Sequence, residues 1–438
     1  MQTIGLCITE LEPGGAERAF VQLAIRANRS GRFQIVVYVL SGSPKNPVLA
    51  DQLDREQVQV RYLGLNAENK WRALWQLPAI MRKWRRFLVQ DQIVLLQSFL
   101  FHANYLARKV VRRIKSPSGD RIITVSGYRV CEPRIWQNIL DRLTRFRDTA
   151  GVAVSEAVRD YYFPKRRFLK RRFLKHNSWL CVIPNGVDAS LFCPEKRKER
   201  LAVFRELGVQ ENSTLILSVG RLTEQKNFAF LIQGLAPLLD KNPDWYLAIV
   251  GEGEGRTKLT ALIQALNMEN RILLTGYRSD TDRLLAAADL FVLTSRWEGL
   301  PNVALEAAAS GLPIVALSST GVAALFDPLF ELPDFSDPFI EPDRAAQIVA
   351  MDPRMVSCSL PDKSLPDKSF SKNSLSDRFQ AQVSALLQDK QNAQAIGQRN
   401  RQRVINYFDW NKMIISYENL WQNLLITQNP LDNNPIFR

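Results

Sequence analysis

The stretch Glu298-Gly299-Leu300-Pro301-Asn302-Val303-Ala304-Leu305-Glu306 decides how this chain is read. It places two carboxylates eight positions apart around a tight turn. The run before it, from Asp289 to Ser295, reads as a short buried strand; the run after it, Val303 to Ser310, reads as a helix stopped by Gly311-Leu312-Pro313. Glu298 therefore belongs on the strand-to-helix loop, and Glu306 inside the helix. The first N–H groups of that helix, near Asn302 and Val303, point at whatever the loop holds, and a phosphate suits them. One carboxylate is then set to reach sugar hydroxyls and the other a ribose.

Working outward, strand and helix alternate along most of the chain, which predicts parallel sheets covered by helices. Ile4 to Thr9 reads as a strand, followed by Gly14-Gly15 and a helix from Ala16 to Asn28. Further strands are expected at 34–40, 93–97, 121–126 and 149–154. After Asp188 the pattern restarts, with strands at 215–219, 245–250, 271–274, 290–294 and 313–316. Two Rossmann-like sheets joined near 186–200 follow, with ligands expected at the carboxyl ends of their strands. Residues 327–376 are rich in Pro, Asp and Ser without sustained periodicity and read in part as a mobile loop. The short repeats at 166–175 and 360–369 are local expansions, not solenoid units.

With 438 residues and 46% hydrophobic side chains, the chain has enough material for two cores. The five cysteines are scattered and suit a reducing compartment better than a disulfide framework. The start, Met1-Gln-Thr-Ile-Gly-Leu6, reads as a strand, not a signal peptide, and no apolar run approaches the roughly 18 residues of a membrane span. The expectation is a cytoplasmic protein, soluble or peripheral on the inner face of the plasma membrane. Charge is one-sided: residues 1–190 hold 32 Lys and Arg against 15 Asp and Glu, whereas the remainder is slightly acidic. Such a surface attracts anionic lipid, nucleic acid or a polyanionic substrate. Two stretches are candidates for lipid contact. Trp71 to Leu88 sets Trp71, Trp75 and Trp84 among cations, and Lys165 to Lys175 sets cations around Phe168, Leu169, Phe173 and Leu174.

The segment 298–306 resembles the E-x7-E motif of retaining glycosyltransferases of family 4, whose fold is GT-B. Leu11-Glu-Pro-Gly-Gly-Ala-Glu-Arg18 resembles that family's first glycine loop. Val152 to Ala157 and Val182 to Asp188 resemble the end of its N-terminal domain, and Ser218 to Asn227, Ile249 to Gly253 and Leu274 to Asp280 its donor domain. These motifs span roughly residues 1–325 in the family's order. The resemblance implies two Rossmann-like domains facing across a cleft: an acceptor-binding domain over 1–190 and a nucleotide-sugar-binding domain over 191–405. A C-terminal helix and tail over 406–438 would cross back to the first domain.

It also implies the site. Arg221 and Lys226 would grip the diphosphate, Gly15 and Gly220 would let backbone approach the donor, and Tyr277 and Arg278 would lie where backbone meets the nucleobase. Glu298, Leu300, Asn302, Val303 and Glu306 would complete donor binding. Gly14, Gly15 and His102 would lie on the acceptor side, with Glu298, Arg221, Lys226 and His102 as catalytic candidates. The chain departs from the family where Phe99 and Ser126 stand in place of frequent histidines, and in the turn Ser319 to Phe326. With two cations as counter-charges, and only two histidines in the chain, no metal cofactor is expected.

The implied activity is α-linked transfer from a nucleotide diphosphate sugar, UDP-sugar first, to a lipid-linked saccharide or glycan. Sugar phosphorylase and storage-glucan synthase readings are opposed by the short chain and the lack of a cofactor-lysine signature. A nucleic-acid-binding protein would need aromatics interleaved with cations on a sheet, or a recognised reading module, and neither is found. A degenerate GT-B binding protein is motivated by Phe99 and Ser126, and opposed by intact Glu298, Glu306, Arg221 and Lys226.

Overall fold

The computed structural model describes residues 1–65, 70–131, 134–163, 179–317, 322 and 375–426. The basic run 165–175, both short repeats and most of 327–376 lie outside the described residues. Residues 1–185 with 411–426 form one compact unit, and 186–317 with 375–410 form a second.

The first unit is built on a parallel sheet of seven strands: β1 (Thr3–Ile8), β2 (Gln34–Val39), β3 (Gln59–Tyr62), β4 (Ile93–Phe99), β5 (Ile123–Tyr128), β6 (Ala150–Ala153) and β7 (Trp179–Val182). Their spatial order is β3-β2-β1-β4-β5-β6-β7. Strands such as Thr-Ile-Gly-Leu-Cys-Ile and Ile-Val-Leu-Leu-Gln-Ser-Phe are apolar almost throughout, as a strand covered on both faces must be. The order reverses between β1 and β4, which pair directly. Crevices at such a switch point receive ligands, because the loops leaving the two strands diverge to opposite faces there. The loop carrying Gly14-Gly15 leaves β1, and the helix Phe101–Val110, which carries His102, follows β4.

The second unit repeats the scheme with β8 (Thr214–Val219), β9 (Trp245–Val250), β10 (Ile272–Gly276), β11 (Leu290–Leu293) and β12 (Ile314–Ala316). Their order is β10-β9-β8-β11-β12, all parallel, so the switch point falls between β8 and β11. Helices Phe228–Lys241, Arg256–Ala265 and Leu375–Gln388 contribute to one continuous apolar core with this sheet.

The helix Trp410–Ile426 packs on the first sheet's side of the chain. Trp421 stacks edge-on to Phe33, and its indole N–H donates to Gln97 Oε1 at 3.4 Å. Glu418 accepts from Ser30 and from Arg32, so the helix is fixed by both apolar and charged contacts.

The helix read as interfacial over Trp71 to Leu88 turns part of its apolar face to the core, and the Trp71 side chain lies outside the described residues. Within Lys70–Gln90, Trp84 and Leu88 are buried against Tyr38, Ile93 and Leu96, and Ile80 and Met81 join them. Its central apolar face is spent on the core. Trp75 remains 84% exposed.

A buried ion network stitches β5 to the helix Ile135–Thr144. Arg108, 1% exposed, donates to Asp148 at 2.9 Å, Asp141 at 2.8 Å, Thr144 at 3.0 Å, Ser126 at 3.1 Å and Tyr128 at 3.0 Å. Ser126 is therefore part of a structural lattice. Phe99, at the other departure from the family pattern, is buried edge-on to Phe20 and beside Tyr417.

Candidate functional site

Two loops meet at the second sheet's switch point. The first leaves β8 as Gly220-Arg221-Leu222-Thr223, makes a 3-10 turn over Glu224–Lys226, and enters the helix Phe228–Lys241. The sequence Gly220 to Asn227 reads as a strand end followed by a helix start at Lys226. Lys226 lies instead in the turn before the helix, because Asn227 adopts a left-handed conformation (φ 54°) that breaks the run. The second loop leaves β11 and reaches Glu298 before the helix Asn302–Ala309 begins. That helix follows from an alanine-rich sequence with a single β-branched residue, Val303, and ends before Gly311, whose φ of 76° only glycine adopts easily.

The loops are pinned together. Arg296 N–H donates to Gln225 O at 2.8 Å, the Gln225 side chain donates to Trp297 O at 2.9 Å, and Thr294 Oγ1 donates to Lys226 O at 3.1 Å. On this frame, Lys226 Nζ lies 2.5 Å from Glu298 Oε1. Lys226 and Glu298 side chains are 17% and 9% exposed, so solvent screens the pair poorly. The Lys226 stem runs over Gly220, where an added Cβ would stand 3.2 Å from Lys226 Cε. Glycine at 220 keeps the lysine close to the strand end.

The remaining candidates in this unit fall around the same end of the sheet. Arg221 is exposed, one residue beyond Gly220. Leu300 is buried, and Asn302, Val303 and Glu306 are half-buried along the helix Asn302–Ala309, whose start carries no side-chain cap. At Gly253 a Cβ would meet Leu222 O at 2.6 Å and Leu222 N at 2.7 Å, so this loop and the β8 loop touch backbone to backbone. Tyr277 follows β10 and is 46% exposed. Arg278 does not offer a free guanidinium: it binds Asp280 and Glu206, both at 2.7 Å. Those hydrogen bonds raise its affinity for its proton and hold the Asp280 carboxyl below the usual range. Any part Arg278 plays with a base falls to its backbone.

Gly14, Gly15 and His102 belong to the first unit. Gly14 precedes the helix Gly15–Arg29, which also lacks a side-chain cap. His102 is exposed in the first turn of Phe101–Val110 and borders a cavity of about 210 Å³, lined also by Glu17, Asn104, Arg129, Arg134 and Tyr162. Arg129 was not singled out by the sequence. It is buried, stacks 4.2 Å over the Phe99 ring and donates to Asn185 Oδ1 at 2.7 Å. Burial lowers its pKa. Among the described residues, no three His, Cys, Asp or Glu side chains are grouped to hold a metal ion, and no helix is long and apolar enough to cross a membrane.

A galactosyltransferase of Escherichia coli, UDP-Gal:alpha-D-GlcNAc-diphosphoundecaprenol alpha-1,3-galactosyltransferase, is 40% identical over 145 residues. That alignment covers 32% of this chain and 37% of the relative, so the chain matches well under two thirds of that protein's length. HepE from Anabaena, solved in complex with UDP and glucose, superposes with a TM-score of 0.72 at 18% identity, covering 97% of this chain and 100% of HepE. Sucrose-phosphate synthase from Thermosynechococcus elongatus gives 0.71 at 15% identity over 98% and 100%. At these identities the structural likeness establishes the fold, which is GT-B. Residues 199–331 match the glycosyl transferases group 1 family, and the chain thus carries a glycosyl transferases group 1 domain spanning both loops of the Lys226–Glu298 site.

Proposed function

We propose that the chain is a retaining, metal-independent glycosyltransferase. It transfers a sugar from a nucleotide diphosphate sugar, UDP-sugar first, to a lipid-linked saccharide or glycan, and forms an α-linkage. The observation that carries this reading is the Lys226–Glu298 pair at the β8–β11 switch point. During transfer the bond from the anomeric carbon to the diphosphate oxygen breaks, the acceptor oxygen bonds that carbon, and the hydroxyl proton passes to the departing diphosphate. Negative charge grows on the departing phosphate, and preorganised cations there lower the barrier. Lys226 has three N–H donors, so one can stay on Glu298 while another meets phosphate. Glu298 fixes where the ammonium waits. Glu306 is assigned to the ribose, and the backbone at Tyr277 and Arg278 to the base.

The E. coli relative's name supports a lipid-diphosphate acceptor and a UDP donor. Arg221 and Lys226 supply the positive charge that a divalent ion would otherwise bring. The test is a screen of nucleotide sugars for nucleotide release with a lipid-linked acceptor, with and without EDTA. Release from a UDP-sugar that EDTA leaves largely unchanged is the expected result. Strict dependence on added Mg²⁺ or Mn²⁺ overturns metal independence. A binding protein without turnover, the reading that Phe99 and Ser126 motivate, would take up nucleotide and release none from any donor.

A further inference from the structure

The helix Ile135–Thr144 is built inside out. Gln137 and Asp141, each 1% exposed, and Thr144 at 8% face inward. Ile135, Trp136, Ile139 and Leu143 are 75%, 53%, 53% and 63% exposed, and Phe146 just beyond is 53% exposed. A helix on a water-facing surface normally shows the reverse. Ile135, Ile139 and Leu143 recur every fourth residue, so they form one stripe. The helix cannot roll to hide it, because Arg108 holds Asp141 and Thr144 from below.

The exposed charges flanking the stripe on its own stretch are cations. Arg134, Arg142 and Arg147 are exposed beside it, and the carboxylates of the same stretch, Asp141 and Asp148, are buried on Arg108. On the neighbouring helix Glu156–Tyr162, whose Tyr161 hydroxyl accepts from Asn138, the carboxylates Glu156 and Asp160 are both engaged by Arg159. An aromatic and aliphatic stripe edged by arginines, with the neighbouring carboxylates among the described residues paired, complements an anionic bilayer surface, where apolar side chains enter the headgroup boundary and guanidinium groups meet phosphate. A second copy fits less well, since it would press two arginine-edged faces together.

We propose that the Ile135–Leu143 face, with Phe146, is the surface by which this protein docks on anionic membrane. It replaces Trp71 to Leu88 in that role, because the central face of that helix is core. The inner face of the same helix borders the cavity at His102, through Arg134, Gln137 and Asp141. Docking here would bring that cavity to the bilayer edge, a purpose that rests on the lipid-linked acceptor proposed above.

The test uses the full chain with no donor or acceptor, so its outcome is independent of transferase activity. Flotation with phosphatidylcholine vesicles, with and without phosphatidylglycerol, compares wild type, Ile139→Glu/Leu143→Glu, the milder Leu143→Gln, and a variant with Arg166, Arg167, Arg171 and Arg172 changed to Gln. Wild type is expected to float with phosphatidylglycerol vesicles, and the double variant to lose at least ~10-fold in bound-to-free ratio. Leu143→Gln should fall between them, and the four-arginine variant should keep most binding. Equal flotation of wild type, the double variant and Leu143→Gln overturns the proposal. So does a failure of wild type to float, or a wild-type dimer by light scattering that the double variant abolishes.

Discussion

Lys226→Ala is expected to lower the rate of sugar transfer at least ~30-fold, about 2 kcal/mol of transition-state stabilisation. The loss should fall on kcat as well as kcat/KM, because the ammonium is needed most when the phosphate departs. The same change leaves Glu298, with 9% of its side chain exposed, without the cation 2.5 Å away. An orphaned, mostly enclosed carboxylate also destabilises the fold, so activity alone does not separate the two effects. Lys226→Ala combined with Glu298→Gln removes the orphan charge. The unfolding midpoint should then recover toward wild type while kcat stays low. If kcat recovered with stability, Lys226 would be a structural partner of Glu298 and nothing more.

Arg108→Leu should destabilise the first unit by roughly 3–5 kcal/mol, the usual cost of breaking a buried ion pair from one side. Asp141 and Asp148 would both lose their guanidinium, and Ser126 and Tyr128 a donor. Replacing all three charges, Arg108→Leu with Asp141→Asn and Asp148→Asn, should regain a large part of the loss. Denaturant unfolding followed by tryptophan fluorescence is the measurement; the two units call for a fit with more than one transition. An unchanged first transition in Arg108→Leu would show that the network contributes little.

Much of the fold was legible because strands covered on both faces are nearly unbroken apolar runs. The strands 34–39, 245–250 and 290–293 stand close to where they were expected. The two strands not foreseen, β3 and β7, are the edges of the first sheet. Gln59-Val-Arg-Tyr62 is half-exposed and carries the alternation of an edge, too short to signal by itself.

Side-chain placement was harder to read. Trp84 sits among cations in sequence, yet the helix turns those cations outward and the tryptophan into the core. Arg108 and its acids are 33 and 40 residues apart, a distance no local pattern encodes. The stripe of Ile135, Ile139 and Leu143 has the spacing of a core face, and only the fold shows that the core lies on the other side. The Lys226–Glu298 pair spans 72 residues and was not foreseen, although each residue was expected at a strand end of the same sheet.

In the proposed function the β8–β11 switch point holds a nucleotide diphosphate through Lys226 and Arg221. Calorimetric titration with UDP, for wild type and Lys226→Ala, tests it most directly. Saturable one-to-one binding to wild type is expected, with an affinity weakened by ~10-fold or more in the variant, as for loss of a charge-assisted hydrogen bond of about 1.5–3 kcal/mol. No UDP binding to folded wild type, or equal affinity in the two proteins, would contradict it.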